Sequence, residues 1–102
     1  MKTAQMKRLN KAAWKKWGTD AQLGMLVEEC AELIVAVAKL SRHNNGSSLR
    51  DVAEEIADVE ICLDQCKQML DPAIPRLVGM YKNTKYNRLN QLIEGQHDLG
   101  RV

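Results

Sequence analysis

The sequence predicts an all-α fold, and three observations carry that expectation. Phe is absent and only two Trp and two Tyr occur in 102 residues, whereas Leu, Ile, Val, Ala and Met are plentiful, a palette that suits helix packing better than sheets. Apolar residues return at steps of three and four, the period of an amphipathic helix. The pattern is broken at Gly18, Asn44-Asn45-Gly46, Asp71-Pro72 and Gly95, where residue types that stop or start helices are found.

A first helix is expected over about Thr3 to Trp17, basic on one face and stopped by Gly18 as its C′ residue. Thr19-Asp20-Ala21-Gln22 reads as a capping box opening a second helix from about Asp20 to Leu40. In it Leu23, Leu26, Val27, Cys30, Leu33, Ile34, Val37 and Ala38 mark the apolar side. Ser41 to Ser48 is expected to be a polar loop, with Ser48 and Asp51 capping a third helix over about Leu49 to Leu70. Val52, Ile56, Val59, Leu63, Cys66 and Leu70 form its apolar side. Asp71 as N-cap and Pro72 in the first turn predict a fourth helix reaching about Glu94. Ile74, Leu77, Val78, Tyr81, Leu89 and Leu92 are its packing candidates, and residues 96–102 read as a frayed tail.

This length suits one domain, divided as 1–18 (basic helix), 19–70 (helical hairpin), 71–95 (last helix) and 96–102 (tail). An apolar content of 45% with 27% charged residues excludes a disordered chain. Neither an uninterrupted apolar run of about 18 residues nor the apolar core of a signal peptide is found. A cytoplasmic protein with no membrane partner is the expectation. Cys30, Cys62 and Cys66 fall within helical patterns and read as small buried hydrophobes. Cys62 and Cys66, four apart, have no further Cys or His nearby in sequence to complete a zinc site. His43 and His97, in a loop and in the tail, read as surface residues.

A formal charge of +2 gives little warrant for nucleic-acid binding. Its distribution says more: Lys2, Lys7, Arg8, Lys11, Lys15 and Lys16 crowd the first segment, Lys82, Lys85 and Arg88 mark the last, and acidic residues collect between. A positive rim around a negative centre suits a phosphate chain carried on a metal.

That negative centre holds the candidate site. Glu29 and Glu32, and likewise Glu55 and Asp58, are three residues apart, so each doublet points two carboxylates from one helix face that the apolar pattern would otherwise fill. Buried carboxylates without partners are costly, and a cation relieves that cost. A short loop makes the two helices antiparallel neighbours. Glu29 with Asp58 and Glu32 with Glu55 share a midpoint between His43 and Asn44, so the doublets should face each other. All-oxygen ligands favour Mg2+, with Mn2+ as the alternative. Glu28 and Glu54 are rotated by about 100° from the doublets and read as solvated. A di-iron bundle is disfavoured because the chain has no Glu-x-x-His motif.

Glu28-Glu29-Cys30-Ala31-Glu32 followed by Glu55-Ile56-Ala57-Asp58 resembles the EExxE…ExxD signature of the MazG-type all-α nucleoside triphosphate pyrophosphohydrolases. The resemblance extends over roughly residues 14 to 90. It implies a four-helix bundle completed by oligomerisation, as a homodimer or homotetramer. It also implies hydrolysis of an NTP or dNTP to monophosphate and pyrophosphate, with a role in cleansing nucleotide pools. Glu29, Glu32, Glu55 and Asp58 would then be the metal ligands and catalytic residues, with Glu32 or Glu29 as general base. Lys85 and Arg88 are candidates for phosphate contact. Trp17 is the better of two candidates for contact with the base, although packing is the commoner fate of Trp14 and Trp17 alike.

The rival from another class is a non-catalytic helical module that binds nucleic acid or a protein partner through its basic first helix. The facing doublets favour the enzyme, and no recognition-helix motif favours the module.

Overall fold

A computed structural model describes residues 1–95. All regular structure in them is helical, as the composition and periodicity predict: α1 (Thr3–Trp17), α2 (Thr19–Arg42), α3 (Gly46–Met69) and α4 (Ile74–Ile93). None of these helices is long and apolar enough to cross a membrane. The chain divides into two compact units, Met1–Asp71 and a second beginning at Pro72.

In the first unit α1 ends at Gly18, which adopts φ +89° and whose N–H is donated to the Trp14 carbonyl. Only a residue without Cβ enters that region without strain. The expected capping box is not formed: Gly18 is the N-cap of α2, with no side-chain cap. Thr19 has another use. Its Oγ1 accepts a hydrogen bond of 3.0 Å from Trp14 Nε1, which ties the end of α1 to the start of α2 and satisfies the buried indole.

The connection between α2 and α3 is only His43–Asn45, much shorter than the polar loop expected over Ser41–Ser48. Asn45, not Ser48, caps α3: its Oδ1 accepts from Ser48 N at 2.9 Å. An Asn side chain satisfies an orphan amide of the first turn, which lets the helix begin three residues earlier. Ser48 is thereby buried. Such a short turn folds α2 and α3 into an antiparallel hairpin, and α1 packs on both, chiefly on α3. Gln68 Nε2 donates to the Lys7 carbonyl at 2.8 Å and pins α1 to α3.

The core of this unit is small. Trp14, Ala36, Val59, Cys62 and Cys66 are buried with Gln22 and Ser48, and no side chain is fully enclosed. Cys62 and Cys66 are core hydrophobes, as expected, and burial pushes both thiols up. Several residues of the expected apolar sides are open instead: Val27 and Ile34 are each 69% exposed, and Val37, Ile56, Leu63 and Leu70 are exposed with them. A two-helix ridge covers only the residues on its seam, and flanking apolar positions remain uncovered.

The second unit carries α4. Its start lies later than Asp71-Pro72 suggests, with Ala73 at the N-cap and Pro75 in the first turn. Pro75 lacks an N–H that the first turn would leave unused, whereas Pro72 precedes the helix. Gly95 follows the C-cap at φ +77°. The reading of residues 96–102 as a tail, and of His97 as a surface residue, lies outside the described residues.

Two substitutions check the account of the first unit. Asn45→Ala should lower unfolding free energy by about 1 kcal/mol through the lost cap. Trp14→Ala should cost about 3–5 kcal/mol through the cavity it leaves. Urea titrations at one fixed protein concentration measure both, and equal losses would contradict the assigned roles.

Candidate functional site

The hairpin turn fixes the site. With three residues between the helices, positions equidistant from the turn stand level, so Glu32 meets Glu55 and Glu29 meets Asp58 across the seam. One carboxylate oxygen from each of Glu29, Glu32 and Glu55 lies within 4.8 Å of the other two. Asp58 falls outside that close set, in keeping with a side chain one methylene shorter. Its charge still acts on both Glu29 and Glu55.

Glu29 Oε2 and Glu55 Oε2 are buried, and neither has a hydrogen-bond partner. Glu32 is exposed, and Asp58 is partly so. Burial pushes the Glu29 carboxyl up to about 7, and the charges of Glu32, Asp58 and Glu55 push the same way. Glu55 is raised as well, first by burial and then by Glu32 and Asp58. Carboxylates this close raise one another's affinity for protons.

The group opens onto two cavities. Toward the Trp17 end, a cavity of about 470 Å3 is lined by Glu29 and Asp58, by Trp17, Met25 and Ile61, and by Gln22 and Gln65. Gln22 Nε2 donates to Gln65 Oε1 at 2.7 Å across the helices. Toward the turn, a second cavity of about 360 Å3 is lined by Glu32 and Glu55 together with Val35, Ala36, Lys39 and Asp51. Glu28 and Glu54 are exposed and line neither cavity.

The two tryptophans part company. Trp14 is core, while Trp17, for which packing was the commoner expectation, is 59% exposed on the cavity wall with Lys16 Nζ 5.4 Å from its ring centre. Trp17 is the last residue of α1, where the helix stops at Gly18, and its ring stays largely open. Lys85 and Arg88 lie on α4, in the unit beginning at Pro72, and the carboxylates lie in the other. Gln22, Gln65 and Lys39 were not singled out from the sequence. A signal for the first two exists, because Gln22 and Gln65 share the midpoint that relates Glu29 to Asp58.

Comparison with family models, with curated proteins and with solved structures gives no match to this chain. Three convergent carboxylates with two partnerless buried oxygens form a hard, all-oxygen donor set of the kind that suits Mg2+ or Mn2+.

The raised Glu29 carboxyl gives stability a pH dependence. Between its ordinary 4.5 and about 7 the folded protein holds a proton that the unfolded chain has released. Stability should fall as pH rises through that window and level off above it. Thermal melts in chelator from pH 5 to 8 should show the decline, and Glu29→Gln should reduce it. A mutant profile parallel to that of the wild type would contradict the assignment.

Proposed function

We propose that this chain is a MazG-type nucleoside triphosphate pyrophosphohydrolase that works with Mg2+ or Mn2+. The observation that supports this most is the pair of buried, partnerless oxygens, Glu29 Oε2 and Glu55 Oε2, in a carboxylate cluster built across two helices. Groups placed so are stable when protonated or when they hold a cation. Glu29, Glu32 and Glu55 would hold the ion, with Asp58 completing the set on the side of the larger cavity.

A divalent cation held by these carboxylates would offset charge on the triphosphate and supply an acidified water. The chain's own groups do the rest. Glu29 or Glu32 accepts the proton of the attacking water, whose oxygen bonds to the α-phosphorus. The bond from that phosphorus to the α–β bridging oxygen breaks, and pyrophosphate leaves with the bridging oxygen. The nucleoside occupies the larger cavity with Trp17 beside its base. Lys39, in the smaller cavity, stands where the β- and γ-phosphates would lie. Removal of unwanted nucleotides from the pool fits such a reaction.

The working unit is proposed to be a homodimer or a dimer of dimers. Leu49, Ile56 and Leu63 recur every seven residues along α3, Leu70 continues the spacing at its C-cap, and all four are exposed, as are Val27 and Ile34 on α2. An apolar stripe of that period is a helix-packing seam without its partner helices. A second hairpin of the same kind would cover it and complete four helices.

Wild-type protein should release pyrophosphate and monophosphate from at least one member of an NTP and dNTP panel with Mg2+, and chelator should stop it. Glu29→Gln and Asp58→Asn should each lower kcat/KM by about 100-fold or more, and Lys39→Ala should act mainly on KM. A folded protein with no turnover across the panel would refute the reading, and salt-sensitive oligonucleotide binding that survives both substitutions would favour the module instead. Sedimentation should give a dimer or tetramer that Ile56→Lys dissociates, and a wild-type monomer at micromolar concentration would refute the assembly.

A further inference from the structure

The larger cavity contains one polar feature that hydrolysis does not use. Gln22 is only 7% exposed, yet it faces no charge of its own: its amide is spent on Gln65, Nε2 to Oε1 at 2.7 Å. That bond leaves Gln22 Oε1 as an acceptor and Gln65 Nε2 as a donor, with no further protein partner among the described residues. Both residues line the cavity, whose remaining walls include the apolar Trp17, Met25 and Ile61. Flat apolar walls with one ordered donor–acceptor pair match a planar heterocycle that carries hydrogen-bonding groups along one edge.

A side-chain amide can rotate by half a turn and exchange its oxygen and nitrogen. If both amides turn, Gln65 Nε2 donates to Gln22 Oε1, and the free groups become a donor on Gln22 and an acceptor on Gln65. The bond between them survives, and only its sense changes. Amino bases such as cytosine present donor then acceptor along the pairing edge, and keto bases such as uracil present acceptor then donor. One pair can therefore meet either.

We propose that the Gln22–Gln65 amide pair reads the hydrogen-bonding edge of the nucleobase and, by reversing its sense as a unit, admits both amino and keto bases. The inference rests on the pyrophosphohydrolase reading, since it takes the occupant of the cavity to be the base of the nucleotide whose phosphates reach Glu29 and Asp58. The substitution Gln65→Glu would remove the freedom. The carboxylate it introduces accepts from Gln22 Nε2 and leaves two acceptors facing the base, which repel N3 of cytosine and the carbonyl of uracil alike.

The test compares cytidine and uridine triphosphates with wild type, Gln65→Glu and Gln65→Met, read as KM for each nucleotide and as the ratio of their kcat/KM values. Wild type should stay within about tenfold between the two. Gln65→Glu should raise KM for both by at least about tenfold, one hydrogen bond's worth, because each base sets one acceptor against the fixed pair. Gln65→Met, with neither donor nor acceptor, should also raise KM for both and leave the ratio near one. Circular dichroism establishes that the variants are folded. An unchanged KM in either variant, or a wild type already selective by about a hundredfold, would overturn the proposal.

If wild type hydrolyses neither nucleotide, binding decides the inference, and the functional reading fails only if the whole panel is inert. Free cytidine and uridine, without metal, should quench Trp17 fluorescence, and Trp17→Phe should abolish that response. Gln65→Glu should weaken both apparent Kd values. Unchanged Kd values, or no quenching, would overturn it.

Discussion

A three-residue turn sets the register on which every feature of the first unit depends. Asn45 starts α3 by accepting a hydrogen bond from Ser48 N, and His43–Asn45 is all the chain that lies between the two long helices. From there the antiparallel geometry is fixed. Glu32 stands level with Glu55, Glu29 with Asp58, and Gln22 with Gln65, the last of these seen directly in a 2.7 Å bond. A one-residue change in the turn would rotate one helix by about 100° against the other and would separate all three pairs together.

The register has an electrostatic consequence. It forces carboxylates into mutual contact at a seam where water reaches them poorly, and it leaves two oxygens with no partner. In the free protein the strain is relieved by protons, which is why Glu29 is pushed up to about 7 and Glu55 is raised with it. A cation would relieve it without protonation. The feature that destabilises the free protein is thus the one on which the proposal of a metal site rests, a trade commonly met at functional sites.

The arrangement around the carboxylates has a direction along the hairpin. At the α1 end Trp17, Met25, Ile61 and the glutamine pair make a mostly apolar chamber, while at the turn end Lys39 stands near Glu32 and Glu55. A nucleotide has the same polarity, apolar at the base and anionic at the phosphates. Leu49, Ile56 and Leu63 are exposed on α3 and line neither cavity, so the residues proposed for assembly are not those proposed for chemistry.

Residue spacing alone shows that the chain is helical and where the main breaks fall, and it singles out the carboxylates of which Glu29, Glu32 and Glu55 converge. Those properties follow from local periodicity and from symmetry about a turn, and both are written in residue spacing. Asn45 in place of Ser48 as the cap, Thr19 as the partner of Trp14 rather than a capping residue, and Pro72 ahead of the last helix were not legible. In each case two or more residues could serve the same local role, and packing chose between them. The closeness of Glu29, Glu32 and Glu55, with Asp58 set back, and the burial of one oxygen on each of two carboxylates were also decided only in three dimensions. They depend on side-chain length and on what the neighbouring helix covers, which no spacing rule contains. The exposure of Trp17 and the Gln22–Gln65 bond belong with them, because a tryptophan or a glutamine acquires its role from the surface it meets.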